Sequence, residues 1–444
     1  MPGTATSGFT QWAAAKTLHP ALKTIVPYVA SRPGMGLPME NNIFVNPNYE
    51  WSFYVGSNKY LNTQVGNDRE RFRKMQNQWW ESGAAYETLD QIDGTPNRLF
   101  QRWISHPSFD EYWQKMAPYK HDFAKINIPV LSIDGYYNDS QNSGLYYLRE
   151  HYKYNPKAEH YLIVGPYGHL GAQRSGAKVI NGYTVDADAL IDTAEITFQW
   201  FDYIFNHAAK PAILQDKINY QVMGANEWRS APSIQGMSNR SLKLFLTNDA
   251  QDNFYSLSSG PTRDEGFLYQ EIDFADRNTW NNDYYPDPII RDKLNLSNGF
   301  AFVSQTFEKD VLINGSFSGE IKASINKYDM DIGLTLYEVT PDGQYFHLSY
   351  FVGRASFAKD ITKRKLLQPD RIETIPFSNT HLVSKKLRKG SRLLVVLNVN
   401  KNPFSELNYG TGKVVSEENI QEADEPLKVR WYSDSFINVP VLDL

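Results

Sequence analysis

Cysteine is absent from the 444 residues, which excludes disulfide staples, thiolate nucleophiles and every Cys-ligated metal centre. No apolar run approaches the ~18 residues of a membrane-spanning helix, and the first residues lack the charged-then-apolar order of a secretory signal. No cellular address is written in the chain, and no membrane span is expected. Basic residues number 45 against 50 acidic ones, a formal net charge of −5. Outside the short run Lys385-Lys386-Leu387-Arg388-Lys389 no basic stripe is available to track a phosphate backbone, so nucleic acid is not an expected partner. Internal repeats and low-complexity tracts are also missing, which sets solenoids and propellers aside. No His pair has zinc spacing and no Gly-rich loop suits a phosphate. Asp329, Asp331 and Asp342 lack the spacing of a calcium loop. Neither a metal nor an organic cofactor is expected.

Aromatic residues, by contrast, are plentiful at 14%, with 28 Tyr, 24 Phe and 10 Trp. They serve core packing first and aromatic-lined pockets second. The length calls for two or three domains, and the patterning divides the chain. Small and helix-favouring residues in "GFTQWAAAKT" predict a tightly packed helix, and Leu22, Ile25 and Val26 a short buried strand after it. From about Pro33 to Pro118 long polar-aromatic stretches such as "NDRERFRKMQNQWWESGAAYETLDQI" predict helices with no strand alternation. "INIPVLSIDGYY" and "AEHYLIVGPYGH" are apolar runs that end in Gly-containing turns, as buried parallel strands do, with "SQNSGLYYLREHYKY" as the crossover helix between them. A further helix places Leu190, Ala194, Phe198, Phe201 and Phe205 on one apolar stripe and stops at Pro211. Beyond about Ile213, "INYQVMG", "SLKLFLT", "DIGLTLYEV" and "SRLLVVLNVN" are short strands punctuated by turn residues, the pattern of a β-sandwich of jelly-roll type.

Near the start, Gly3-Thr4-Ala5-Thr6-Ser7-Gly8 has the glycine bracket of the strand-to-helix turn that presents a nucleophilic serine, with alanine where the serine would stand. Ser7 is the alternative nucleophile. Two residues past the apex, however, it lies ~200° around the helix axis, where its hydroxyl and that of Thr6 suit the free N–H groups of a helix start. His169 follows "GPYG" at the end of a predicted parallel strand, the edge where α/β sheets build sites. Asn138 and Asp139 in "YYNDSQNSG" are both candidates to face it. Asp139 also suits an Asx-turn, while an Asn facing the histidine is expected to hold the wrong tautomer.

Six stretches taken in order resemble the cocaine esterase / X-Pro dipeptidyl-peptidase family of serine hydrolases, which includes the α-amino acid ester hydrolases and is also called the CocE/NonD group. "GTATSGFTQWAAAKTLHPALKTIVP" looks like its nucleophile elbow, helix and next strand. "HPSFDEYW" (His106 to Trp113) is similar to the cap exit, and "IPVLSIDGYYND" to the strand and loop of the triad acid. "IVGPYGH" (Ile163 to His169) is similar to the histidine loop, and "YQVMGANEWRSAP" and "LRKGSRLLVVLNVNKNPFSELN" to the passage into, and a late strand of, the C-terminal domain.

The resemblance implies an α/β-hydrolase domain over 1–32 and 119–212, a helical cap inserted at 33–118, and a jelly-roll β-sandwich over 213–444. It also implies hydrolysis of acyl esters or X-Pro dipeptidyl amides through an acyl-serine. The catalytic positions fall on Ala5 (nucleophile), Thr6 (its backbone N–H to the oxyanion), His169 (base) and Asn138 or Asp139 (acid). Tyr136, Tyr137, Trp51 and Trp80 are expected at the pocket for a small ester or short peptide. With alanine at position 5, an impaired or inactive member is expected. The alternative is a non-catalytic binding protein for peptide, ester or glycan. In the family a long N-terminal portion precedes the elbow. Counted without it, about three parallel strands remain, and the strand near Ile25 is expected to present a bare edge covered by an N-terminal fragment or a second copy.

Overall fold

The computed structural model describes the chain except Met1, Thr4, Ser57, Asn58, Lys59, Arg263 and Asp264 and the side chains of Pro2, Ala5 and Thr6. Thr4 of the glycine-bracketed turn thus lies outside the described residues. In chain order the first part runs β1 (Pro2–Gly3), α1 (Ala5–Thr17), β2 (Val26–Pro27), a helical stretch that includes α2 (Arg69–Ser82), β3 (Val130–Tyr137), α3 (Gln141–Tyr154), β4 (His160–Gly168), α4 (Thr193–Asn206), β5 (Ile218–Val222) and β6 (Glu227–Ala231).

β1 through β5 lie side by side in sequence order and all pair in parallel, and β6 closes the far edge antiparallel to β5. Two expectations are corrected here. The strand near Ile25 is not a bare edge: Pro2–Gly3 pairs along β2, Gln11 of α1 accepts from Val26 N at 2.8 Å, and Ile25 and Val26 are 1% and 0% exposed. The sheet also extends past residue 213, because "INYQV", read as the first strand of the sandwich, hydrogen-bonds to β4. A buried strand in a parallel sheet and one in a sandwich core show the same short apolar run, so periodicity alone does not separate them.

Helices cover both faces. On one, Trp12 of α1 stacks on Tyr147 of α3, centroids 4.8 Å apart, over Ile25 and Val130. On the other, Trp200 of α4 packs on Val26, Leu131 and Ile163 and donates its Nε1–H to Thr24 Oγ1 at 2.9 Å. The stripe predicted for α4 is therefore wrong. Thr193, Ile196, Thr197 and Trp200 are buried, whereas Leu190, Phe198 and Phe205 are exposed. This helix is aromatic on several faces, and the one that turns inward is the one whose hydroxyls and indole find partners.

α2 starts on the Asp68 side chain, which accepts from Arg71 N at 3.2 Å, and stops at Gly83 with φ +64°. Its apolar face, Phe72, Met75, Trp79 and Trp80, is buried. α2 is anchored to the C-terminal part through Trp80 Nε1–H on Arg277 O at 3.0 Å and Ile420 N–H on Gly83 O at 2.9 Å. From Arg240 onward the chain forms a β-sandwich of many strands, mostly antiparallel. At its centre Asp331–Val339, buried along its whole length, runs between Tyr345–Arg354 and Arg392–Val399. Among the described residues no helix is long and apolar enough to cross a membrane.

Candidate active site

The site lies at the carboxyl ends of β1, β3 and β4. β1 ends at Gly3 and α1 begins at Ala5, so Ala5 is the first residue of a helix that follows a strand, the order of elements that a nucleophile elbow requires. Gly8 makes that turn possible: a Cβ there would stand 2.9 Å from the Ala30 Cβ and 3.3 Å from Tyr28 O. Gly135 does the same at the next loop, where a Cβ would fall 2.0 Å from Tyr167 O. Only glycine lets the ends of β3 and β4 approach closely enough for the residues that follow them to meet.

Those residues are Asn138 and His169. Asn138 Oδ1 lies 2.9 Å from His169 Nδ1, and Asn138 Nδ2 donates to Asp134 Oδ1 at 2.8 Å. The carboxylate settles which way the amide faces, since it accepts the NH2 and leaves the carbonyl oxygen for the imidazole. His169 therefore carries its proton on Nδ1 and keeps the Nε2 lone pair open. Asp134 holds the amide from behind so that its oxygen faces Nδ1, an orientation that disfavours the wrong tautomer expected for an Asn partner. Burial holds the His169 pKa below its ordinary value, so the ring is neutral at pH 7. Asn138 is itself 0% exposed.

Asp139 does not face His169. It sits on the exposed rim and accepts from the Tyr285 hydroxyl at 3.1 Å. Gln141 bolts this loop to the sandwich, donating to Gly135 O at 3.1 Å and Leu382 O at 2.9 Å and accepting from Leu382 N at 2.6 Å. Behind the rim, Glu40 is pushed up to about 8 by burial and then by the charge of Asp139. Asp134 is pushed up to about 7 by burial, a rise moderated by its bonds from Asn138 and Gly135.

Ser7, exposed in the first turn of α1, has its carbonyl capped by Thr10 Oγ1 at 2.9 Å. The side chains of Ala5 and Thr6 lie outside the described residues. Tyr136 and Tyr137 are buried, their hydroxyls spent on Gln221 O at 2.6 Å and His347 O at 3.0 Å, so they brace the loop against its neighbours. Trp51 stacks on Trp103, centroids 6.4 Å apart, and Trp80 lies beneath the Arg277 guanidinium, 5.0 Å from its ring. Neither joins the His169 cluster, because both rings pack between helices or against the sandwich. Asp329 and Asp331 hold Arg364 and Arg354. Sequence reasoning missed Asp134 and Glu40; for Asp134 the available signal was a carboxylate inside the apolar run "VLSIDGYY".

An elbow-like strand–helix junction after β1, a polar residue after β3 and the histidine it meets after β4, all at one end of the sheet, define an α/β-hydrolase, here followed by a β-sandwich. Residues 1–171 match the family model of the X-Pro dipeptidyl-peptidase (S15 family), and residues 214–423 match that of the X-Pro dipeptidyl-peptidase C-terminal non-catalytic domain. The chain belongs to this family of hydrolases, the one that includes the cocaine esterases. It is 22% identical to the cocaine esterase of Rhodococcus sp. (strain MB1 Bresler), over 95% of this chain and 76% of that one. In fold it is similar to an aminopeptidase from a marine sediment Thaumarchaeota archaeon (TM-score 0.82, 16% identity, 100% of this chain and 76% of that one). It is also similar to an α-amino acid ester hydrolase (TM-score 0.77, 18% identity, 99% and 76%).

Proposed function

We infer that this chain keeps the scaffold of an acyl-ester or X-Pro dipeptidyl hydrolase while its acyl-serine chemistry is lost or strongly impaired. The observation that supports this reading is Asn138, not a carboxylate, on His169 Nδ1, together with Ala5 at the elbow. In a working triad the histidine takes the serine proton through Nε2, a carboxylate on Nδ1–H stabilises the imidazolium that forms, and backbone amides hold the oxyanion. Here the Asn138 oxygen faces His169 Nδ1, which supports the Nδ1-protonated ring, and the Thr6 N–H would serve the oxyanion from the start of α1. The methyl of Ala5 has neither a lone pair to attack with nor a proton to give up. The neutral amide of Asn138 orients the ring without stabilising its charge.

Glu40 and Asp139 beside the loop favour a substrate that carries a positive group, since an ammonium would neutralise two acids that now oppose each other. That suits an α-amino ester or the free amino end of a short peptide. The same replacements support a second reading, in which the pocket binds a peptide, ester or glycan and releases it unchanged.

The test is fluorophosphonate labelling with mass-spectrometric site mapping, beside p-nitrophenyl ester turnover, on the native chain, Ser7→Ala, Ala5→Ser and Ala5→Ser/Asn138→Asp. The native chain is expected to stay unlabelled, Ala5→Ser to label at residue 5, and the double variant to label faster. Labelling of the native chain that Ser7→Ala abolishes would overturn the reading. Ligand retention by the native chain with no adduct and no product would support the binding alternative.

A further inference from the structure

A second cavity, of about 870 Å³, lies along the outward face of α3, and His169, Asn138 and Asp139 are not among its lining residues. Asn142, Tyr146, Arg149 and Lys153, spaced as one stripe of that helix, form one wall. Phe351, Phe357 and Phe377 of the sandwich face it, with Met35 and Ile361 between them. The volume falls within the range of small-molecule sites, and the walls combine an apolar surface with many polar and charged groups.

Arg149 is the group this cavity leaves unspent. Among the described residues it makes no hydrogen bond and no ion pair, and burial lowers its pKa to about 10, with Glu150 the one opposing charge. Glu150 is itself engaged by Lys153 at 3.8 Å. The contrast with Arg354, which lines the same cavity, is direct: Asp331 and Glu406 neutralise Arg354 at 2.9 and 3.0 Å. Lys217 adds another positive charge at the wall, its Nζ 4.6 Å from the Tyr152 ring. The charges that face the space are thus Arg149, Lys153, Lys217 and the compensated Arg354 against Glu150 alone. Arg149 is half-buried at the cavity wall, so its charge stands at the opening without a protein partner, and its planar fork of donors matches a carboxylate in two parallel hydrogen bonds.

We propose that this cavity binds a small organic carboxylate, with the carboxylate on Arg149 and an apolar body against Phe351, Phe357 and Phe377. The apolar walls select a monoanion with an alkyl or aryl body over inorganic phosphate, which would leave them bare. The site is separate from the proposed hydrolase centre and stands whether or not that centre turns over.

The experiment is calorimetric titration of the whole chain with 4-phenylbutyrate, 4-phenylbutanol and phenyl phosphate, repeated on Arg149→Met. The native chain binds 4-phenylbutyrate, and Arg149→Met weakens it on the order of tenfold or more, as expected for loss of a bidentate ionic contact. Equal affinity for the alcohol, or unchanged affinity in the variant, overturns the proposal. Phenyl phosphate bound more tightly than the carboxylate overturns the ligand class. A thermal melt of the empty proteins is the second readout: because the unpaired charge is removed, Arg149→Met melts above the native chain. A lower melting temperature would mean that the guanidinium is already used by the fold, and the proposal fails.

Discussion

Asn138 Oδ1 lies 2.9 Å from His169 Nδ1, and the charge that a hydrolase of this fold keeps at that position stands four residues earlier, on Asp134, reaching the imidazole only through the Asn138 amide. The relay preserves the orientation of the ring and gives up most of the electrostatic help. Asp134→Ala tests it, because without the carboxylate only the longer contacts from Ser140 N–H and Oγ to Asn138 Oδ1, at 3.4 and 3.3 Å, bias which end of the amide meets His169. Nitrogen-15 spectra of the native chain should show His169 protonated on Nδ1, and in Asp134→Ala that preference should collapse toward a mixture of tautomers. A spectrum unchanged by the substitution would remove Asp134 from any positioning role.

Glu40 carries the clearest pH signature. Its pKa rises from an ordinary 4.5 to about 8, through burial first and the charge of Asp139 second. An acid that holds its proton more tightly when folded makes the native state bind more protons than the unfolded one between those two values. Stability from this group is therefore full at the acidic end of the window and falls as pH rises through it. Asp134 acts in the same direction, from 3.8 to about 7. Glu40→Gln mimics the protonated acid at every pH. Its melting temperature should match the native chain near the bottom of the window and exceed it increasingly toward the top, and a pH-independent difference would contradict the assignment.

The parts legible in the sequence and the parts that were not separate along physical lines. α1, β3, α3 and β4 were legible because their apolar runs and terminal glycines serve one local purpose each, and His169 because it directly follows such a run. The choice between Asn138 and Asp139 was not legible, since adjacent residues in a loop differ only in where the backbone aims them, and here Gln141 and the sandwich decide that. The role of Asp134 was hidden for the same reason, because a strand carboxylate gains its meaning from an amide four residues on. Trp51 and Trp80 were expected at a pocket from the family resemblance, and in the fold their rings pack on Trp103 and beneath Arg277.

A buried polar chain on the α1/α3 face supplies an acid-side counterpart. His151 Nε2 lies 2.8 Å from Ile126 O, which only accepts, so that nitrogen holds the proton. His151 Nδ1 then accepts from His160 Nδ1–H at 3.1 Å, and His160 Nε2 accepts from the Ser132 hydroxyl at 2.8 Å. Both rings are satisfied only when neutral. Burial lowers both pKa values from 6.5, that of His160 further through His151. The unfolded chain therefore binds more protons below that value, and this stability is lost as pH falls through it. Ser132→Ala leaves His160 Nε2 without a donor and should cost about 1–3 kcal/mol in urea unfolding at neutral pH. A cost near zero would mean that the hydroxyl is not part of the chain.

The ion cluster of the sandwich is the place where one substitution should do most harm. Arg354 Nε donates to Asp331 Oδ1 at 2.9 Å, and its NH2 group serves Asp331 Oδ2 and Glu406 Oε1, each at 3.0 Å. All three side chains are at most 1% exposed. Asn408 and Phe44 N supply one further bond each to the two acids, so the carboxylates are held in place whether or not the cation is present. Arg354→Met removes the one positive charge and leaves two negative ones in a dry interior, a loss of about 3–5 kcal/mol. Adding Asp331→Asn and Glu406→Gln to that variant removes the stranded charge and should recover most of the loss. Because the two acids in Arg354→Met take up protons more readily once the cation is gone, its deficit against the native chain should shrink as pH is lowered. Urea unfolding of the single and triple variants across the acid range checks both statements, and a triple variant no more stable than the single one would show that the arginine acts through packing, not charge.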